Sequence, residues 1–249
     1  MSGDSNNSRI VNLFPTPVGL YNMGEDSHPM NKSLVSDIFK EKKIDSRGVM
    51  YSNLGGWHSK PGLEKRYESF DILRENIQLC VDAYCASTDT TIMCNSASWV
   101  PNKKITPIAQ KFWANVSSSG DTNILHNHVG ALLSGVYYPL GEIKNKKASY
   151  NYQDWSTSYY TKPFISPGNY THSKGGGSLI FYGPPHHDNN CHVYPTAGVL
   201  ILFPSHLSHM VTPFKEDKTR ISISFNCLYE EPKSSQQLPI STGPRLDIT

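Results

Sequence analysis

His126 and His128 flank a single residue in the stretch ILHNHVG. In an extended strand, residues i and i+2 project from the same face, so both imidazoles can converge on one ion. A third histidine, His209, follows a strand and turn in LILFPSHLSHMVTP, and Arg220 comes eleven residues later in TRISISFN. A hairpin of that length carries the arginine back past the histidine. Arg220, Ser222 and Ser224 alternate with Ile221, Ile223 and Phe225, so the polar residues share one face. An arginine on the inner face of a small barrel needs an anionic partner, because a buried unpaired charge is costly. A dicarboxylate would satisfy it through a bidentate contact. The plain alternatives are a pair of exposed strand-end histidines and a surface ion pair of Arg220 with Glu216 or Asp217. The remaining histidines, His28, His58, His172, His186, His187, His192 and His206, read as unremarkable. His186, His187 and His192 cluster with Asp188, but PPHHDNN reads first as a polar turn.

The elements that must position these residues fall into two halves. Leu34, Val35, Ile38 and Phe39 give Met30 to Lys43 a helical spacing. Apolar residues at three- and four-residue intervals mark a second helix over Pro61 to Ala86, with Pro61 near its start. LFPTPVGLYN, Leu13 to Asn22, carries prolines that suit an edge strand, and SNLGGWHS, Ser52 to Ser59, reads as a Gly-rich loop. After about residue 94 the period changes to short runs of Val, Ile, Tyr and Ser punctuated by Gly and Pro. Candidate strands are Ser96 to Val100, Ile105 to Val116, Asn123 to His128, Leu132 to Tyr138, Ser178 to Tyr182, Val199 to Phe203, His209 to Pro213 and Arg220 to Leu228. So many short strands in one half of a chain suggest a sandwich, jelly roll or barrel. The expected organisation is a polar N-terminus, 1–9, then one domain over 10–230, then a flexible tail, 231–249. Within the domain, 10–93 gives helical support and 94–230 the β architecture. An insert at 141–176 holds Tyr150, Tyr152, Trp155, Tyr159, Tyr160, Phe164 and Tyr170 and is a candidate lid.

Bulk properties narrow the classes. The 249 residues are 37% hydrophobic and 18% charged, ordinary for a soluble globular chain, and the net charge of +2 does not indicate nucleic acid. The longest apolar run, Gly198 to Phe203, is too short to span a bilayer, and MSGDSNNSRI lacks the apolar core of a signal peptide. A cytoplasmic location, without membrane association, is the expectation. Five cysteines without a C-x-x-C pair suggest buried free thiols rather than disulfides or a zinc ribbon.

The ordered set H-x-H, SGVYY, GG-S-L-I-F, P-x-A-G-x-L-I-L-F-P-S, H and R-I-S-I-S-F-N resembles the Fe(II)/2-oxoglutarate oxygenases. It is most similar to the putative oxygenase family common in phage genomes, relatives of the prolyl hydroxylases, and LFPTPVGLYN and SNLGGWHS extend the likeness. The resemblance implies a mostly β chain with N-terminal helices, built on a double-stranded β-helix of jelly-roll or cupin-like form. It implies Fe(II), 2-oxoglutarate and O2 as cofactors, with ascorbate as a candidate reductant. The reaction would be hydroxylation of a small molecule or protein side chain, with release of succinate and CO2, in a host cytoplasm if phage-encoded. Carried over, His126 is the first metal ligand and His209 the distal one. Arg220 holds the far carboxylate of 2-oxoglutarate, with Ser222 or Tyr138 as second donor. Most such enzymes carry H-x-D or H-x-E in the first motif, and two histidines with one carboxylate leave three iron positions open. Here position 128 is histidine, which also suits iron but changes the charge of the site. Asp121 is an alternative carboxylate at the wrong spacing. Two other classes compete: a three-histidine cupin-type metalloenzyme that needs no 2-oxoglutarate, and a non-catalytic jelly-roll binding or structural protein.

Overall fold

A computed structural model describes residues 16–23, 28–88, 107–140, 165–167, 176–183, 191–215 and 217–228. The candidate strand Ser96 to Val100, the 1–9 terminus, the 231–249 tail and the aromatic residues of the insert lie outside them. Within the insert, residues 165–167 form a strand.

The chain runs β1 (Gly19–Asn22), α1 (His28–Ile44), β2 (Asn53–Leu54), β3 (Trp57–His58), a short 3-10 turn (Leu63–Lys65) and α2 (Glu68–Thr88). The β half follows as β4 (Ile108–Ser117), β5 (Thr122–His126), β6 (Leu133–Leu140), β7 (Ile165–Pro167), β8 (Leu179–Phe181) and β9 (Cys191–Val193). It ends with β10 (Val199–Pro204), β11 (His209–Val211) and β12 (Arg220–Leu228). Two six-stranded antiparallel sheets result, ordered β1-β10-β6-β12-β4-β3 and β2-β5-β11-β8-β9-β7. This is the double-stranded β-helix that the motif order implied, with its N-terminal helices.

The first sheet is covered on both faces, which explains its nearly unbroken apolar runs. Its outer face packs on the helices. Leu34 and Ile38 of α1 and Phe70, Leu73, Ile77, Val81 and Tyr84 of α2 join Tyr137, Leu200, Leu202, Ile221, Ile223 and Phe225 in one buried cluster. Each fully buried Leu or Ile on that face contributes roughly 1.5–3 kcal/mol. Alternate residues of the same strands, Val136, Tyr138, Val199, Ile201 and Phe203, point inward and meet Leu179, Phe181 and Val193 of the second sheet. The serine–isoleucine alternation of β12 divides between the two sides. Ile221, Ile223 and Phe225 face the helices, while Arg220, Ser222, Ser224 and Asn226 line an inner cavity. Gly135 of SGVYY lets β6 pass Phe225, whose ring would lie 2.2 Å from any Cβ at that position.

Three expectations need correction. The second helix begins at Glu68, not near Pro61. Gly62 adopts φ 92° and starts a 3-10 turn, so Leu63 and Tyr67 belong to the approach rather than to the helix. The Gly-rich loop SNLGGWHS contains two strands: β2 pairs with β5 in the second sheet and β3 with β4 in the first. Finally, β5 ends at His126, so His128 lies beyond the strand on which both histidines were expected. No helix among the described residues is long and apolar enough to cross a membrane. Cys80, Cys85, Cys191 and Cys227 are free thiols.

Candidate metal centre

Strand pairing brings the histidines together. β11 lies antiparallel to β5 with His209 opposite His126, and β8 flanks β11 on its other side. His128 comes in from the turn that follows β5, where its backbone N–H donates to Ser205 O at 2.9 Å. Ring centroids stand 4.3 Å apart for His126 and His209, 5.3 Å for His126 and His128, and 5.1 Å for His128 and His209. One nitrogen from each of the three lies within 4.8 Å of the other two. Three nitrogens sharing one ion at about 2.1 Å stand roughly 3.0–3.6 Å apart, so the rings must draw closer together to hold it.

Each ring has its Nδ1 engaged. His126 Nδ1 lies 2.7 Å from Ile124 O, and His209 Nδ1 lies 2.8 Å from Leu207 O. His128 Nδ1 lies 2.8 Å from Asn226 Oδ1. These acceptors place the proton on Nδ1 and leave each Nε2 lone pair for a metal, the arrangement typical of ligating histidines. Ser52 Oγ makes a long 3.4 Å contact with His126 Nε2. The donor set therefore fits a divalent transition metal. The carboxylate considered as an alternative is elsewhere. Asp121 accepts the Ser118 N–H at 2.6 Å and packs beside Gly55 and Gly56.

Burial keeps the imidazoles neutral. It depresses His209, only 4% exposed, to about 3, with the adjoining His126 and His128 lowering it further. Burial also lowers His126 and His128. The unfolded chain, with histidines near 6.5, then binds more protons than the folded chain once the pH falls below that value. The metal-free protein should therefore lose stability as pH drops from about 6.5 toward the folded value, by about 1.4 kcal/mol per pH unit for each fully neutral histidine. Urea midpoints between pH 7 and 5 check this: His209→Gln should flatten the slope, and equal slopes in both proteins would contradict it.

The triad opens into a cavity of about 630 Å³. Arg220, Ser222 and Tyr138 all line it. Arg220 is 3% exposed, and among the described residues no carboxylate lies within ion-pair distance, Asp217 included. Glu216 lies outside the described residues. The guanidinium carbon sits 5.3 Å from the Tyr138 ring centroid. Arg220 Nε and the Tyr138 hydroxyl are both buried without a hydrogen-bond partner, as is Asn115 Oδ1 on the same cavity wall. Burial raises Tyr138, against the opposing charge of Arg220, so its hydroxyl keeps its proton and can donate. Gly177, at φ 68°, passes Arg220 where a Cβ would meet its Cδ at 2.9 Å.

The sequence reading did not single out His58, Trp113 or Asn226. His58 lines the cavity once β3 pairs with β4. Its ring stacks at 5.8 Å on Trp113, whose other neighbour is His128 at 5.7 Å. The cue was SNLGGWHS itself, which was part of the motif set.

Residues 111–226 match the family described as putative 2OG-Fe(II) oxygenase. No curated protein matches the sequence. Among solved structures, the chain is similar to the non-heme alpha ketoglutarate dependent epimerase SnoN from nogalamycin biosynthesis. The two are 10% identical over 92% of this chain and 88% of that one, with a TM-score of 0.53, a likeness of fold. A prolyl-4-hydroxylase from Pseudomonas putida is 13% identical over 86% of this chain and 93% of that one, at a TM-score of 0.48. A viral collagen prolyl hydroxylase from Paramecium Bursaria Chlorella virus-1 is 12% identical over 86% and 96%, also at 0.48.

Proposed function

We propose that the chain, whose residues 111–226 match the putative 2OG-Fe(II) oxygenase family, is an oxygenase of that kind and hydroxylates a C–H bond of an organic substrate. The balance would be substrate, 2-oxoglutarate and O2 giving hydroxylated substrate, succinate and CO2. The observation that carries this reading is one cavity holding three clustered imidazoles and a buried arginine without a carboxylate partner among the described residues. His126, His128 and His209 would hold Fe(II), which when bound activates O2 and binds the keto acid. Arg220 would take the far carboxylate of 2-oxoglutarate through its guanidinium, with the Tyr138 hydroxyl as a second donor and Ser222 within the same lining. These groups lie on packed strands, which supports a fixed pose for the cosubstrate. Phe203 stands edge-on beside His209 at 4.9 Å and Phe181 lies tilted at 6.1 Å, and together they give that side of the centre an apolar wall. The substrate is a small molecule or a protein side chain, and ascorbate is the proposed reductant that restores Fe(II) after uncoupled turnover.

Anaerobic titration tests the proposal. Fe(II) followed by 2-oxoglutarate should produce a visible charge-transfer band, and addition of O2 with ascorbate should release succinate. An Fe(II)-loaded protein that takes up no 2-oxoglutarate would sink it. His128 favours a second reading, a three-histidine dioxygenase without a keto-acid cosubstrate. In that case removal of Arg220 would leave turnover intact while removal of His126 would abolish it.

A further inference from the structure

His126 and His209 are oriented locally, each by the backbone carbonyl two residues upstream on its own segment. His128 is different. It sits in a turn whose next residue, Val129, is 95% exposed, and no neighbouring carbonyl fixes its ring. Its Nδ1 is held instead by a side chain 98 residues away, Asn226 of β12. We propose that Asn226, seconded by Trp113, is the positioning residue that makes an imidazole at position 128 a usable ligand. This rests on the reading of the triad as a metal site.

Hydrogen-bond direction sets the tautomer of His128. Asn226 Oδ1 accepts from the Ser134 hydroxyl at 2.9 Å as well as from His128 at 2.8 Å. Ser134 is fully buried and is the register partner of Asn226 across β6 and β12. With the amide oxygen toward the ring, the proton must sit on Nδ1 and the lone pair on Nε2. The reversed amide would donate to Nδ1, move the proton to Nε2 and close that nitrogen to a metal. In the orientation it takes with Ser134, the asparagine matches an imidazole N–H at position 128.

Trp113 holds the face of the same ring, and a bulge delivers it. The β12–β4 register steps from Ser224↔Trp113 to Asn226↔Gln110, and Lys111 takes φ 56°. The Glu64 carboxylate accepts the N–H groups of Lys111 and Phe112, both at 3.0 Å, and so pins the bulge. Phe112 then packs toward the helices on Phe225 at 4.9 Å, while Trp113 turns into the cavity against His128.

Two readouts test this, with Asn226→Leu and Asn226→Asp. In anaerobic calorimetry with Fe(II), the Leu variant should bind 10–100-fold more weakly, and the Asp variant, which keeps the acceptor, should stay within about threefold of wild type. In metal-free protein, long-range 1H–15N spectra should show His128 as the Nδ1–H tautomer in wild type and the Asp variant, and as a mixture in the Leu variant. Should Asn226→Leu not fold, judged by a thermal melt, Asn226→Ala takes its place. A Leu variant with wild-type Fe(II) affinity and a single Nδ1–H tautomer overturns the inference, as does equal weakening in the Leu and Asp variants. Wild-type protein that binds no Fe(II) overturns the metal reading instead, and the tautomer spectra then decide the role of Asn226 by themselves.

Discussion

His209→Ala should bind Fe(II) more than 100-fold more weakly than wild type while remaining folded. His209 is the most enclosed member of the triad and the one flanked on both sides, by β5 and β8. Its ring is 4.3 Å from His126 and 5.1 Å from His128, so it closes the triangle that the other two leave open. Loss of an orienting hydrogen bond around a metal ligand typically costs 10–100-fold, and loss of the ligand itself costs more. The fold has no comparable stake in the imidazole. Among the described residues the His209 ring hydrogen-bonds only to Leu207 O two residues away, and the ladders on both sides of β11 use backbone atoms. Calorimetric titration of Fe(II) under nitrogen, with a thermal melt of the metal-free variant, checks both halves. Retention of affinity within tenfold would show that His126 and His128 bind metal without it.

Arg220→Leu should abolish 2-oxoglutarate binding and leave Fe(II) binding in place. The guanidinium is buried against the Tyr138 ring, and among the described residues no acid neutralises it. Without it, the far carboxylate would be buried opposite a lone tyrosine hydroxyl. Truncating one member of a buried charged pair costs roughly 2–5 kcal/mol, which is about 30-fold to several thousand-fold in Kd. Arg220→Lys should restore only part of this, because an ammonium cannot offer the planar two-pronged contact. Titration of the Fe(II)-loaded variants, followed by the visible band, provides the measurement. Unchanged 2-oxoglutarate affinity in the Leu variant would favour the three-histidine chemistry that dispenses with a keto acid.

Most of the fold was legible where one residue pattern had one meaning. The alternation in RISISFN gives β12 its full length, Arg220–Leu228, because each polar residue faces the cavity and each apolar one the helices. β10 and α1 were recoverable for similar reasons. Periodicity misled at Leu63 and Tyr67, whose spacing continues the α2 pattern although Gly62 turns the chain first. β2 and β3 are two residues each, and only their pairing with strands of opposite sheets makes them strands. That long-range pairing also places His58 in the cavity, which its single-residue context did not announce. The convergence of His126 and His128 was foreseen for a partly wrong reason. One stands on a strand and the other on a turn, and the second is held by Asn226, a partner no local pattern reveals.

The matched stretch begins at residue 111, after β1, β2 and β3. Each of those strands lies at a border: β1 against β10, β3 against β4, and β2 against β5. Strand borders left bare invite pairing with other molecules. A protein shortened to the matched stretch would expose the longer ladders of β10, β4 and β5 at its borders and tend to polymerise. In the intact protein those borders are instead the four-residue β1 and the two-residue β2 and β3, too short to template much pairing.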